Sequence, residues 1–116
     1  MISLSFNGQT IRASLVENSS TRALLAIVKQ GPLKIAMEDY ANMEKVGPLG
    51  IELPRNDEQI DAVAGDLILY QGDKLVIYYA PNSWTFTRLG RVEGIDSTAL
   101  REKLGEGEVE ITISAV

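Results

Sequence analysis

The fold is decided by RLGRVEGIDSTALREKLGEGEVEITISAV, Arg88 to Val116. It reads as the end of a strand, a tight glycine turn, a short helix, a second glycine turn and a long alternating strand. Asp96 or Ser97 caps the helix, Ala99, Leu100 and Leu104 face inward, and Gly105 stops it. Val109, Ile111, Ile113 and Ala115 then alternate with Glu110, Thr112 and Ser114, the period-two pattern of a strand with one buried face.

The same patterns continue toward the N-terminus. Ile2, Leu4 and Phe6 alternate with serines, and Ile11, Ala13 and Leu15 alternate with Arg12 and Ser14. Asn7-Gly8 between them accepts the positive φ angles of a type I′ turn, so the segment is a hairpin. Asn18 is the predicted N-cap of a helix whose apolar stripe is Leu24, Leu25, Ile27 and Val28, and Gly31-Pro32 ends it. Leu33, Ile35 and Met37 mark another strand. DLILY and KLVIYYA flank Gln71-Gly72-Asp73 and are apolar on consecutive positions, so both of their faces are predicted to be covered. WTFTRL alternates again. Residues 39–66 carry Pro, Gly and clustered charge and read as an irregular surface excursion, with room for one short strand between Val46 and Leu53 interrupted at Gly47-Pro48. The sum is about eight strands and two helices with no βαβ alternation, which favours an antiparallel barrel whose ends the helices plug.

Composition narrows the chemistry. At 116 residues and 45% hydrophobic, residues 1–116 are expected to form one domain with a core that needs no metal or disulfide. There is no cysteine and no histidine, which removes thiolate chemistry, His-based triads and Cys or His metal sites. The net charge of −5 lacks the basic footprint of a nucleic-acid binder or of an anionic-membrane binder. No signal peptide or spanning segment is visible, so the expectation is a cytoplasmic protein without cofactor or metal. A homodimer is left open.

The closing segment resembles the end of cyclophilins. Over the rest of the chain the match is to the small prokaryotic cyclophilin-like family, through SFNGQTIRASLVEN, LKIAMEDYANMEKVG, LPR, AGDLILY, LVIYYA and LGRVEG, in order from Ser5 to the C-terminus. EDYANMEK and LGRVEG are the most specific pieces. The extra spacing GPLGIE before Leu53-Pro54-Arg55 is a departure. The resemblance implies a mainly β protein, a closed eight-stranded antiparallel barrel with two short helices. It implies little about activity, because such proteins are largely uncharacterised.

The residues bear on three functional classes. Prolyl isomerisation needs a dry proline pocket and a fixed donor near the prolyl nitrogen, with no nucleophile. Cyclophilin enzymes carry Arg and Phe five apart followed by Met-Gln; here Arg55 is followed five later by Ile60, and no other Arg fits. If the protein is an enzyme, a weak isomerase is the expected kind. The carboxylates Glu38, Asp39 and Glu44, and Asp57, Glu58 and Asp61, lack calcium-loop spacing and read as solvated charge. Gly47 to Gly50 and Gly105 to Gly107 read as turns rather than phosphate loops. Phe86 and Tyr70 read as core filling. Tyr78 and Tyr79 are neighbours on one strand and must point to opposite faces. The favoured reading is a non-enzymatic barrel binding a small molecule or extended peptide in a groove, with Tyr40, Glu44, Arg55, Tyr79, Trp84 and Arg88 as candidate ligand-binding residues. A structural or interaction module without a ligand site is the third alternative. For Glu44, the competing role is an ion pair to Arg55 or Arg88 that pins the long loop.

Overall fold

A computed structural model describes every residue from Met1 to Val116. In chain order the elements are β1 (Ile2–Phe6), β2 (Gln9–Leu15), α1 (Ser19–Gln30), β3 (Leu33–Tyr40), β4 (Glu44–Pro48), β5 (Glu58–Ala62), β6 (Asp66–Tyr70), β7 (Lys74–Tyr78), β8 (Asn82–Val92), α2 (Ser97–Leu104) and β9 (Val109–Ala115). Eight strands form a closed antiparallel barrel in the order β2-β1-β9-β3-β4-β7-β6-β8, and β8 returns to β2 to complete it. The ninth, β5, lies outside and pairs only with the first half of β8.

Closure depends on one glycine. Gly90 pairs with Leu15 at the β2–β8 seam, where a Cβ on Gly90 would stand 1.9 Å from the Ser14 carbonyl oxygen. Just before it the register shifts: Leu67 pairs with Gly90 but Ile68 with Arg88, leaving Leu89 as an extra residue on β8. Such a bulge bends a strand. It divides β8 into a half that closes the barrel and a half that leads out to β5.

The interior is filled by alternate residues of the barrel strands, among them Ile2, Leu4, Ile35, Met37, Leu67, Leu75, Ile77, Ile111 and Ile113. Helix α1 adds Leu24 and Val28, and α2 adds Leu100 and Leu104. The helices sit at opposite ends. The Asn18 side chain caps α1 by accepting from Thr21 N–H (2.8 Å) and donates to the Arg88 carbonyl (3.0 Å), whereas α2 reaches Gln9 through Lys103 and the Asn42 turn through Arg101. A second, smaller core lies on the outer wall: Ile68, Val76, Tyr78 and Phe86 pack beneath Ile60 and Ala62 of β5. This is why β6 and β7 are apolar on consecutive positions. One row faces the barrel interior and the other faces β5 and β8.

Residues 39–66 are more regular than the sequence suggested. Strand β3 continues to Tyr40 and turns through Ala41 and Asn42, both at positive φ (51° and 55°), with the Met43 N–H donating to the Tyr40 carbonyl at 3.1 Å. Gly47-Pro48 is the end of β4, not a turn. A Cβ on Gly47 would lie 2.3 Å from the Ala36 carbonyl oxygen, so glycine is required there by the close approach of backbone. Proline is tolerated in the last strand position, where the ladder is ending. No helix is long and apolar enough to cross a membrane.

Candidate functional site

Strand parity builds a cleft on the outside of the barrel. On β4, Glu44, Val46 and Pro48 face outward, and the ladder sets them opposite Tyr78, Val76 and Lys74 of β7. These three cross-strand pairs line the cleft, with Tyr70 of β6 flanking Lys74. The outgoing half of β8 supplies Asn82, Trp84 and Phe86 from one face, and Tyr40 and Met43 of the β3–β4 hairpin complete the lining. The cavity measures about 690 Å³, within the range of ordinary small-molecule sites. Phe86 is buried with its ring 5.9 Å from that of Tyr78, whereas Tyr40 and Trp84 are 60% and 59% exposed.

Glu44 is the one carboxylate in this lining. It is 7% exposed and belongs to none of the ion pairs. Burial pushes its carboxyl above the usual range, and the neighbouring Tyr78 hydroxyl offsets part of that rise. Burial likewise pushes Tyr78 up to about 12, opposed by the Asn82 amide and reinforced by the Glu44 charge. The Asn82 amide donates to the Tyr78 oxygen at 3.0 Å. With its oxygen so engaged, Tyr78 keeps its own proton available for Glu44. The arrangement can fix an acidic group at the base of an apolar, ring-walled pocket.

Of the six residues nominated from sequence, Tyr40, Glu44 and Trp84 line this cleft, and Arg55, Tyr79 and Arg88 lie elsewhere. Arg55 is bound to Asp57, its Nε donating at 2.8 Å. Arg88 meets the fully buried Asp66 at 3.0 Å, a carboxylate that also accepts from Arg91 Nε at 2.8 Å. The expected alternative pair of Glu44 with Arg55 or Arg88 is therefore absent. Tyr79 points to the barrel interior, and its hydroxyl donates to Asp39 at 2.9 Å. Burial pushes it up to about 12, helped by the Asp39 charge. Arg101 lies 5.0 Å over its ring.

Asp39 also departs from the solvated role expected of it. It pairs at 2.9 Å with Lys45, which is fully buried and donates to the Gly107 carbonyl at 2.5 Å, and it accepts from the Gly107 N–H at 2.8 Å. Lys45 faces inward because its neighbour Glu44 faces out. Asp57 is likewise engaged, accepting from Thr87 Oγ1 at 2.7 Å as well as from Arg55. No group of three or more acidic residues converges to hold a metal ion.

Sequence reasoning passed over Val46, Val76, Tyr78 and Asn82. The signal for Val46 was the alternation of Glu44, Val46 and Pro48, hidden by treating Gly-Pro as a turn. For Tyr78 there was none: on a strand apolar on both faces, periodicity cannot say which tyrosine points out.

Comparisons with known proteins agree with this fold. No curated protein sequence matches the chain. A solved structure described as McbB in complex with tryptophan superposes with a TM-score of 0.71 at 19% identity, over 100% of this chain and 46% of that one. The chain thus spans less than half the length of McbB, and the likeness is one of fold. The model of the cyclophilin-like family matches residues 4–114. With eight barrel strands, two end helices and a family match over almost its whole length, the chain belongs to the cyclophilin-like family.

Proposed function

We propose that the protein is a small-molecule-binding barrel whose ligand sits in the outer cleft between β4, β7 and the outgoing half of β8. The observation that carries this reading is Glu44: a carboxylate buried beside the Tyr78 hydroxyl but with no cation to pair with costs stability, and it stands in a cavity of about 690 Å³ beside exposed Tyr40 and Trp84. A packing role alone leaves those three features without a use. The shared fold of McbB, solved with the small molecule tryptophan, supports occupancy of such barrels by small ligands. An acidic chain without cysteine suits the cytoplasmic, cofactor-free role expected of it.

The test is a thermal-shift screen of metabolite-sized compounds against the wild type and Val46→Trp. Val46 is a half-buried cleft residue, and an indole there fills the space a ligand needs. Compounds that raise the melting temperature of the wild type and not of Val46→Trp are expected. Hits that act equally on both proteins, or none that shifts cleft signals in NMR, would reject the cleft as a binding site.

A further inference from the structure

The charge of the cleft narrows the ligand class. Glu44 is more than nine-tenths buried, lines the cavity and belongs to no ion pair, and the Tyr78 hydroxyl, itself held by Asn82, stands beside it. A carboxylate in that setting has acceptor capacity left over, and the apolar surroundings strengthen its attraction for a positive charge. Tyr40 and Trp84 are exposed aromatic residues lining the same cavity, and aromatic rings attract cations. Lys74, the only basic lining residue, lies four strand positions from Tyr78 and is turned to Asp73 at 3.1 Å. Four positions correspond to roughly 13 Å along a strand. The Glu44 end therefore has negative charge without local compensation.

From this, and resting on the cleft being a ligand site, we infer that the ligand is an organic ammonium ion: a protonated amine on an apolar or aromatic body, with its N–H groups donating to Glu44 and its body against Val46, Val76 and the aromatic walls. Neutral analogues of the same shape bind more weakly, and anionic ones more weakly still.

The experiment titrates three probes that share one ring and differ in charge: phenethylamine, phenethyl alcohol and phenylacetate. Binding is read by NMR shifts of cleft residues and by Trp84 fluorescence. The amine is expected to bind roughly tenfold or more tighter than the alcohol, and Glu44→Gln is expected to erase that preference by weakening the amine far more than the alcohol. Glu44→Gln keeps the shape and removes a charge that burial disfavours, so its melting temperature at neutral pH is expected to be no lower than that of the wild type. The wild type gives an independent arm. The amine preference should fade as acid protonates Glu44, since the other titratable lining groups, Tyr40, Tyr70, Tyr78 and Lys74, are phenols and an amine. Three probes binding alike, a preference surviving in Glu44→Gln, or a phenylacetate preference lost in Lys74→Ala would overturn the ammonium assignment. If those probes fail while the thermal-shift screen still yields cleft hits, only this inference falls. If both fail, the cleft reading falls with it.

Discussion

Two adjacent residues, Glu44 and Lys45, are both buried and answer to opposite sides of one strand. Lys45 is the costlier to keep inside, and Asp39 is what holds it: the carboxylate takes the ammonium at 2.9 Å, the Tyr79 hydroxyl at 2.9 Å and the Gly107 N–H at 2.8 Å. Burial by itself would raise the Asp39 carboxyl; the bonds from Lys45, Gly107 and Tyr79, with the Lys45 charge, outweigh it and hold it below its ordinary value. A depressed carboxyl contributes stability that is present above its unfolded value, near 3.8, and is lost as pH falls through the folded value. Asp39→Ala strands the buried ammonium with one carbonyl, and is expected to cost about 3 kcal/mol in urea unfolding at neutral pH. The gap to wild type should narrow in strong acid, where Asp39 is protonated in both the folded and the unfolded state. A variant as stable as the wild type at neutral pH would show that the network contributes nothing.

At the scale of elements the decisive strand is β8. Its second half closes the barrel against β2, its first half carries β5 and one wall of the cleft, and the bulge at Leu89 separates the two roles. The seam has no room for a side chain, as the 1.9 Å approach of a Gly90 Cβ to the Ser14 carbonyl oxygen shows. Backbone cannot yield as a flexible side chain can. Gly90→Ala is therefore expected to cost about 3 kcal/mol or more, seen as a large fall in the urea midpoint. The loss should appear in hydrogen exchange as weakened protection of β2 and the second half of β8, while β9, between β1 and β3, is affected least. Uniform loss across all strands would mean that the seam is not a local joint. A neutral effect would place the two strands farther apart than described.

For the molecule as a whole, membership of the cyclophilin-like family fixes the barrel and leaves activity to the side chains. Prolyl isomerisation needs an arginine free to approach a prolyl nitrogen. Arg55 is bound to Asp57 and Arg88 to buried Asp66, and neither lines the cleft. In a proline-peptide isomerisation assay the protein is expected to leave the uncatalysed rate unchanged. Acceleration that disappears on Arg55→Ala or Arg88→Ala would overturn this.

The sequence by itself determined the local elements. Asn7-Gly8, Gln71-Gly72 and the Asn18 and Asp96 caps state their backbone angles chemically, and alternation marks the interior rows of β1, β2 and β9. Many short strands joined by hairpin turns also favoured an antiparallel barrel, and the β2–β8 pairing closes it. What only the tertiary structure decided is which way the doubly apolar strands face and which charges meet. Tyr78 and Tyr79 are chemically identical neighbours; burial assigns one to the outer wall and the other to the interior because β5 and β8 cover one face and α2 approaches the other. Asp39 finds Lys45 and Gly107, and Arg88 finds Asp66, through ladder register and strand closure. Those meetings join residues up to 68 positions apart, and no period or spacing in the chain encodes them. The cleft belongs to the same class of fact: Glu44 is left without a cationic partner because Lys45 meets Asp39, Lys74 meets Asp73 and Arg88 meets Asp66.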